Sequence, residues 1–231
     1  MEATPKIYCA IIGDIVHSKQ LDAPARAEVQ MLLRTVLEEV NERYKKSVAA
    51  KAIITLGDEF QILLSVPSLC AEIAQRIALA MHPVNLRFGI GIGEMLTEID
   101  SSMALGADGP AYYRARSAIE LLKKAGEPRR ASAGFALRLL IFSGADDEIL
   151  LDQVAQYLLH ITSGWTKAQM RIVKAYVNSE LGLSTPQAEI AETLSITQSV
   201  VSRTERAAHL KEYEKAVSGL KNHFYYKYDS Q

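Results

Sequence analysis

Lys51-Ala52-Ile53-Ile54-Thr55-Leu56-Gly57-Asp58-Glu59-Phe60-Gln61-Ile62-Leu63-Leu64 is the stretch whose reading decides the fold. Two apolar runs are split only by Gly57-Asp58, and a two-residue Gly-containing break between strand-like runs is a hairpin signal. Upstream, Lys6 to Ile15 is apolar and rich in Ile, and reads as a buried strand that ends on a second Gly-Asp pair, Gly13-Asp14. Each pair puts a carboxylate where a strand ends or turns. Two such carboxylates brought together repel unless a divalent cation sits between them. Each is also open to a plain reading, Gly57-Asp58 as a turn and Asp14 as a cap on the following segment.

Between strand and hairpin, Asp22 followed by Pro24 marks a helix start, and Val29, Leu32, Leu33, Val36 and Val40 recur at helical spacing. After the hairpin, Pro67-Ser68 opens a helix with Leu69, Ile73 and Ile77 on one face. Leu86 to Gly93 alternates strictly, with Leu86, Phe88, Ile90 and Ile92 on one side and Arg87, Gly89, Gly91 and Gly93 on the other. A strand with a bare glycine face requires a close neighbour. A Gly-rich loop through Gly106-Ala107-Asp108-Gly109-Pro110 leads into a helix from about Ala111 to Lys124, and Ala133 to Phe142 reads as a last strand. The expected fold is therefore α+β, a ferredoxin-like βαββαβ plan with an extension, occupying residues 1–143. In that plan the hairpin tip lies beside the end of the first strand.

Ser143-Gly144-Ala145-Asp146-Asp147 reads as a linker, and residues 144–231 read as an all-α domain. Helices are expected over Asp147 to Ile161, Thr166 to Leu181 with Gly182 as its stop, Pro186 to Leu194, Thr197 to His209 and Tyr213 to Phe224. The aromatic, basic tail Tyr225-Tyr226-Lys227-Tyr228 carries no motif with a recognisable role.

The 231 residues are 48% apolar and 23% charged with a net charge of −1, the balance of a globular protein and of neither a nucleic-acid nor a membrane-surface binder as a whole. The charge is unevenly spread: from Trp165 onward the net is +2, and before it −3. Cys9 and Cys70 read as small buried hydrophobes of a reducing compartment. With no leader pattern and no apolar run approaching the roughly 18–20 residues of a span, a cytoplasmic protein is expected. His17 and His82 have no partner at ligand spacing and read as structural or solvated.

The order of Asp14-Ile15, the Gly57-Asp58 hairpin, the run Leu86-Arg87-Phe88-Gly89-Ile90-Gly91-Ile92-Gly93-Glu94 and the loop-helix with Arg114 and Arg116 resembles the class III nucleotidyl cyclase catalytic domain. Gly57-Asp58-Glu59-Phe60 likewise resembles the signature of GGDEF-type diguanylate cyclases. Nearly the whole chain resembles the SatD family of small bacterial proteins. The specific pieces are Gly13-Asp14-Ile15-Val16 with Ser18-Lys19, Thr55 with Gly57-Asp58-Glu59-Phe60-Gln61, and Gly109-Pro110-Ala111 with Ala115-Arg116. The cyclase resemblance implies that Asp14 and Asp58 hold Mg²⁺ or Mn²⁺ on a nucleoside triphosphate, with Ile15 adding a backbone carbonyl. It also implies that Ser18, Lys19 and Arg114 contact phosphate and that Arg116 steadies developing charge. Phosphoryl chemistry needs such cations to neutralise charge and align the attacking oxygen. Glu59, beside the hairpin tip, is a candidate third ligand. The chain departs from the cyclase pattern where the base and the transition state are read: Ile54 stands for the purine-selecting Lys, Gly106 for the loop Asp, and Tyr113 and Ser117 for the Asn and Arg.

In the C-terminal part, residues 185–209 read as a helix-turn-helix. Ala191 is small at the helix crossing, Ile190, Leu194, Ile196 and Val201 form a shared core, and Thr197 caps the second helix. Gln198, Ser199, Ser202, Arg203 and Arg206 are then expected to face outward, as residue types that contact bases and phosphates. The pattern resembles sigma-factor region 4, including Trp165-Thr166-Lys167 at its start, with Ser195 in place of the usual turn Gly. Two functions follow as expectations. One is a regulatory protein whose degenerate cyclase-like domain senses a nucleotide while the C-terminal domain docks on DNA as a homodimer. The other is an active metal-dependent nucleotidyl cyclase or related phosphoryl-transfer enzyme.

Overall fold

The computed structural model describes residues 5–104, 106–126, 134–179 and 181–230. Five strands form one mixed sheet: β1 (Tyr8–Ile15), β2 (Val48–Leu56), β3 (Glu59–Leu64), β4 (Leu86–Gly93) and β5 (Arg138–Phe142), in the order β2-β3-β1-β4-β5. The apolar run that ends on Asp14 is the middle strand, antiparallel to both β3 and β4. β5 joins the far edge parallel to β4 and begins later than the expected Ala133, which lies outside the described residues.

Alternation along the strands sorts the two faces. Cys9, Ile11 and Ile15 with Phe60, Ile62, Leu64, Phe88, Ile90 and Ile92 meet α1 (Ala23–Arg43) and α2 (Cys70–Met81) in the main core. The start of α1 is fixed by Asp22, whose carboxylate accepts from Ala25 N at 2.9 Å. Its buried stripe is Leu33, Val36, Leu37 and Val40; Leu32, expected on that stripe, is 40% exposed, and Leu37 takes its place. On the opposite face Ala10, Ile12 and Leu63 pack against Ala111, Ala115 and Ile119 of α3 (Pro110–Lys124). The bare face of β4 is what lets α3 sit there: a Cβ at Gly91 would lie 2.1 Å from the Ala111 carbonyl oxygen, and one at Gly89 2.3 Å from that of Ala115. Backbone therefore lies against backbone.

The C-terminal part is helical: α4 (Glu148–Ser163), α5 (Lys167–Asn178), α6 (Gln187–Leu194), α7 (Gln198–Ala207), α8 (Leu210–Phe224) and a final π-helical turn, Tyr225–Asp229. α5 stops at Asn178, short of the expected Leu181, because Ser179 turns extended; Gly182 opens a 3₁₀ turn instead. Residues before and after the expected linker share one hydrophobic cluster that runs from Cys9 to Phe224. Phe135 stacks on Trp165 with centroids 5.9 Å apart, Trp165 Nε1 donates to the Ala208 carbonyl at 2.9 Å, and Leu137 N donates to Thr162 Oγ1 at 2.9 Å. Within the linker stretch Asp147 is buried and accepts from Ser143, from His223 Nε2 at 2.6 Å and from Lys227 Nζ at 2.7 Å. The tail thus turns back on the body, and Asp229 also accepts from Ser68 N at 3.3 Å. Among the described residues no helix is long and apolar enough to cross a membrane.

Candidate functional site

Asp14 is the penultimate residue of β1, on the α3 side of the sheet, and is 3% exposed. Its cross-strand partners are Glu59 on β3 and Arg87 on β4. Two carboxylates directly opposite each other repel, and here three cations answer them. Arg87 binds Asp14 through Nε at 2.8 Å and through a terminal nitrogen at 3.2 Å. Arg116 binds Glu59 through both terminal nitrogens, at 2.7 and 2.8 Å. Lys123, one helix stretch further along α3, bridges the pair at 3.1 Å from Asp14 and 3.6 Å from Glu59. Burial works against ionisation of Glu59, but Arg116 and Lys123 outweigh it and hold its carboxyl below the ordinary value. The cluster carries more positive than negative charge, and Arg116 and Lys123 leave part of it open to solvent.

Asp58 belongs to a different environment. The hairpin turn places its backbone oxygen on Ile15 N at 3.0 Å, and its carboxylate accepts from the Ser18 hydroxyl. Ser18 lies in a 3₁₀ turn, Ser18–Gln20, entered through His17 in the left-handed region at φ 59°. Together with Ile15, Lys19 and Arg26, these residues line a cavity of about 200 Å³ between the end of β1, the hairpin and the start of α1. Arg26 donates to the Ser18 carbonyl at 3.3 Å and Gln30 to the Gly57 carbonyl at 2.7 Å, which fixes the loop against the hairpin. Four of the expected residues, Ile15, Ser18, Lys19 and Asp58, are thus brought together, and Asp14 does not line this cavity.

The two carboxylates of the expected ion bridge are held apart by other partners, Asp14 by Arg87 and Lys123 and Asp58 by Ser18. A hard cation needs several oxygen ligands, while the carboxylate of Asp14 is taken up by Arg87 and Lys123. No group of three or more His, Cys, Asp or Glu among the described residues is placed to hold a metal. Arg114, expected on phosphate, instead donates to the Ile92 carbonyl and packs its guanidinium against Gly144, where a Cβ would lie 2.0 Å from it. Arg116 is engaged by Glu59. Tyr113, at the position expected for Asn, donates its hydroxyl to Asp108 at 2.6 Å. No local sequence signal marks Arg87 or Lys123 as part of this cluster. Arg87 was visible only as the charged exception on a glycine face, and its role depends on strand register, which local pattern does not carry.

In the C-terminal part α6 and α7 are joined by Ser195-Ile196-Thr197, with Ser195 left-handed at φ 52° in the turn. Ile190 and Val201 are buried between the helices. Gln198, Ser199, Arg203 and Arg206 are exposed and Ser202 half-buried along one side of α7. Arg203 and Arg206 each donate only to a carbonyl one turn back, at 3.3 and 3.4 Å, so the ends of both guanidinium groups face solvent. Thr197 caps by position but makes no side-chain cap hydrogen bond. Sequence reading missed Glu205, 8% exposed on the inner side of α7. It accepts from the Tyr176 hydroxyl of α5 and from Gln187 Nε2 of α6 at 2.6 Å, locking three helices through one carboxylate.

A mixed α/β chain with a five-strand sheet and a helical C-terminal part defines the structural class. The SatD family model matches residues 8–222, and the chain belongs to the SatD family. No curated protein matches the chain. Among solved structures it is similar to the catalytic core of a rhodopsin-guanylyl cyclase with converted specificity in complex with ATPalphaS. The match has 15% identity and a TM-score of 0.32, and covers 48% of this chain and 71% of that one.

Proposed function

We propose that this chain is a cytoplasmic DNA-binding regulatory protein whose N-terminal half senses a nucleotide. The single observation that carries this reading is the outer side of α7. Gln198, Ser199, Arg203 and Arg206 face solvent together, on a helix whose inner side is fixed by Val201 and Glu205. These are residue types that read base edges and grip phosphates, presented on a rigid element. α6, the left-handed Ser195 and α7 support a helix-turn-helix. The exposed Ile149, Leu150 and Tyr157 of α4 support a homodimer.

Strand order β2-β3-β1-β4, with β1 antiparallel to both neighbours, supports a ferredoxin-like, cyclase-like N-terminal half. Its nucleotide site is the Ser18–Lys19–Asp58 cavity, where Lys19 and Arg26 supply positive charge to phosphate. Because Arg114 and Arg116 are both engaged in contacts within the fold, this half binds and does not turn over its ligand.

The test is fluorescence anisotropy of the full chain with duplex DNA fragments across a salt series. Arg203→Ala and Arg206→Ala are each expected to weaken binding by about 1–3 kcal/mol, and loss of a phosphate contact lowers the salt slope by about one. Unchanged binding in both variants rules out α7 as the reading helix. Incubation with ATP or GTP and Mn²⁺ is expected to yield no product, whereas turnover sensitive to Asp58→Asn would favour the enzyme.

A further inference from the structure

We infer that the cleft between α2 and α8 is a binding site for a small organic oxyanion carrying a hydrogen-bonding ring, the chemistry of a nucleoside monophosphate. The cleft encloses about 300 Å³ and lies on the seam between the N-terminal sheet layer and the C-terminal helices. It is separate from the Ser18–Asp58 cavity, with which it shares no lining residue.

Gln75 of α2 carries the inference. The residue is 4% exposed, it lines the cleft, it makes no hydrogen bond to any described residue, and what its amide atoms touch of solvent lies on the cleft side. Buried amides are almost always paired, so an amide with no protein partner, open toward a cavity, is placed to hold a polar ligand. An amide offers one acceptor and two donors in a plane, which suits the edge of a heterocycle. The walls beside it are apolar, with Val177 and Val217 both more than nine-tenths buried.

Charge at the cleft mouth selects an anion. Glu72 is already satisfied, accepting from the Tyr44 hydroxyl at 2.8 Å and from Lys221 Nζ at 3.1 Å. Arg76 uses only Nε, donating to the same Tyr44 hydroxyl at 3.1 Å, and Arg43 makes no ion pair with a described residue. Two guanidinium groups with their terminal nitrogens uncommitted thus line the cleft, and each offers the planar fork that takes an oxyanion. Glu214, the second acid lining the cleft, stands on α8 across from them. A ligand held by α2 and α8 together binds only while the seam is closed, so it raises the stability of the assembled chain by mass action.

The experiment is isothermal titration calorimetry of the full chain with GMP and AMP, against guanosine, adenosine and inorganic phosphate, with melting curves on the same samples. A nucleoside monophosphate is expected to bind and to raise the melting temperature, and the nucleosides and inorganic phosphate to bind at least tenfold more weakly. Gln75→Met and Arg43→Gln are each expected to lower that affinity at least tenfold. Without ligand, Gln75→Met is expected to melt no lower than the unaltered chain, because it removes an unpaired amide and keeps the volume. No binding by any probe overturns the inference, as does binding indifferent to both variants. Binding abolished by Lys19→Ala but retained in Gln75→Met assigns the nucleotide to the other cavity. Inorganic phosphate binding as tightly as GMP reduces the cleft to an anion trap and removes the ring from the inference.

Discussion

Asp14 and Glu59 stand directly opposite each other as cross-strand partners on β1 and β3, and Lys123 reaches across both carboxylates. In the resemblance to cyclases a cation is expected at the strand end, and here the positive charge comes from the chain's own α3 and β4. The two arrangements make opposite predictions for the same substitution. If the carboxylates awaited a metal, removing one would relieve repulsion and leave the protein as stable or more so. With Asp14 buried and paired to Arg87, Asp14→Asn is expected to cost about 3 kcal/mol, because breaking a buried pair from one side strands the other charge. Urea denaturation measures it, and a neutral or stabilising result would return Asp14 to the metal reading.

Glu205 ties α5, α6 and α7 through Tyr176 and Gln187. Glu205→Ala leaves the buried Tyr176 hydroxyl and the half-buried Gln187 amide without their acceptor, at about 1–3 kcal/mol for a buried group so stranded. The expected outcome is a lower melting temperature together with weakened DNA binding, whereas Arg203→Ala weakens binding with the melting temperature unchanged. A Glu205→Ala protein that melts normally would mean that the three helices are held by their apolar contacts alone.

Asp147 fastens the C-terminal tail. Burial raises its pKa, but hydrogen bonds from Lys227, Ser143 and His223 more than offset this and bring it from 3.8 down to about 2. Because the folded value lies below the unfolded one, the carboxylate stabilises the fold above pH 3.8 and loses that contribution as the pH falls through about 2. The stability difference between the unaltered chain and Asp147→Asn is therefore expected to be on the order of 1–2 kcal/mol at neutral pH and to shrink on acidification below pH 3.8. A difference that stays constant through that window would detach the tail contact from the charge of Asp147.

Gly91→Ala places a methyl 2.1 Å from the Ala111 carbonyl oxygen and 2.3 Å from Ala115 N, both of them backbone atoms that cannot swing aside. Overpacking of this kind costs about 1–3 kcal/mol, and the upper end is expected here. Chemical denaturation of the variant checks it, and a loss below 0.5 kcal/mol, about the scatter of surface substitutions, would show that α3 shifts freely.

Much of the fold was legible because its signals are local. Gly57-Asp58 splits two apolar runs, Asp22 with Pro24 starts α1, and the alternation of Leu86 to Gly93 coincides with β4 in full. The glycine side of that strand announced a close neighbour, and α3 is that neighbour. What escaped depends on which strands meet in which register. Asp14 and Asp58 look like a pair in sequence because both follow a Gly at a strand end. The β1–β3 register instead opposes Asp14 to Glu59, while the turn carries the Asp58 carboxylate to Ser18. Arg87, Lys123, Glu205 and Gln75 are ordinary surface-type residues in sequence; only the packing of distant elements pairs the first three with their partners and buries Gln75. Leu32 and Leu37 show the same limit on a smaller scale, since helical spacing admits both and the sheet beneath selects one.

The glycines of β4 have a consequence for any map of mutational tolerance in this chain. They offer no side chain to any partner, yet they set the height at which α3 rides over the sheet, and α3 carries Arg114, Arg116 and Lys123. A single methyl on that strand would raise the helix like a shim and pull three cationic side chains off their marks at once. Saturation mutagenesis scored by folded yield would therefore colour Gly89 and Gly91 as intensely as the charged residues, although they act only by leaving room.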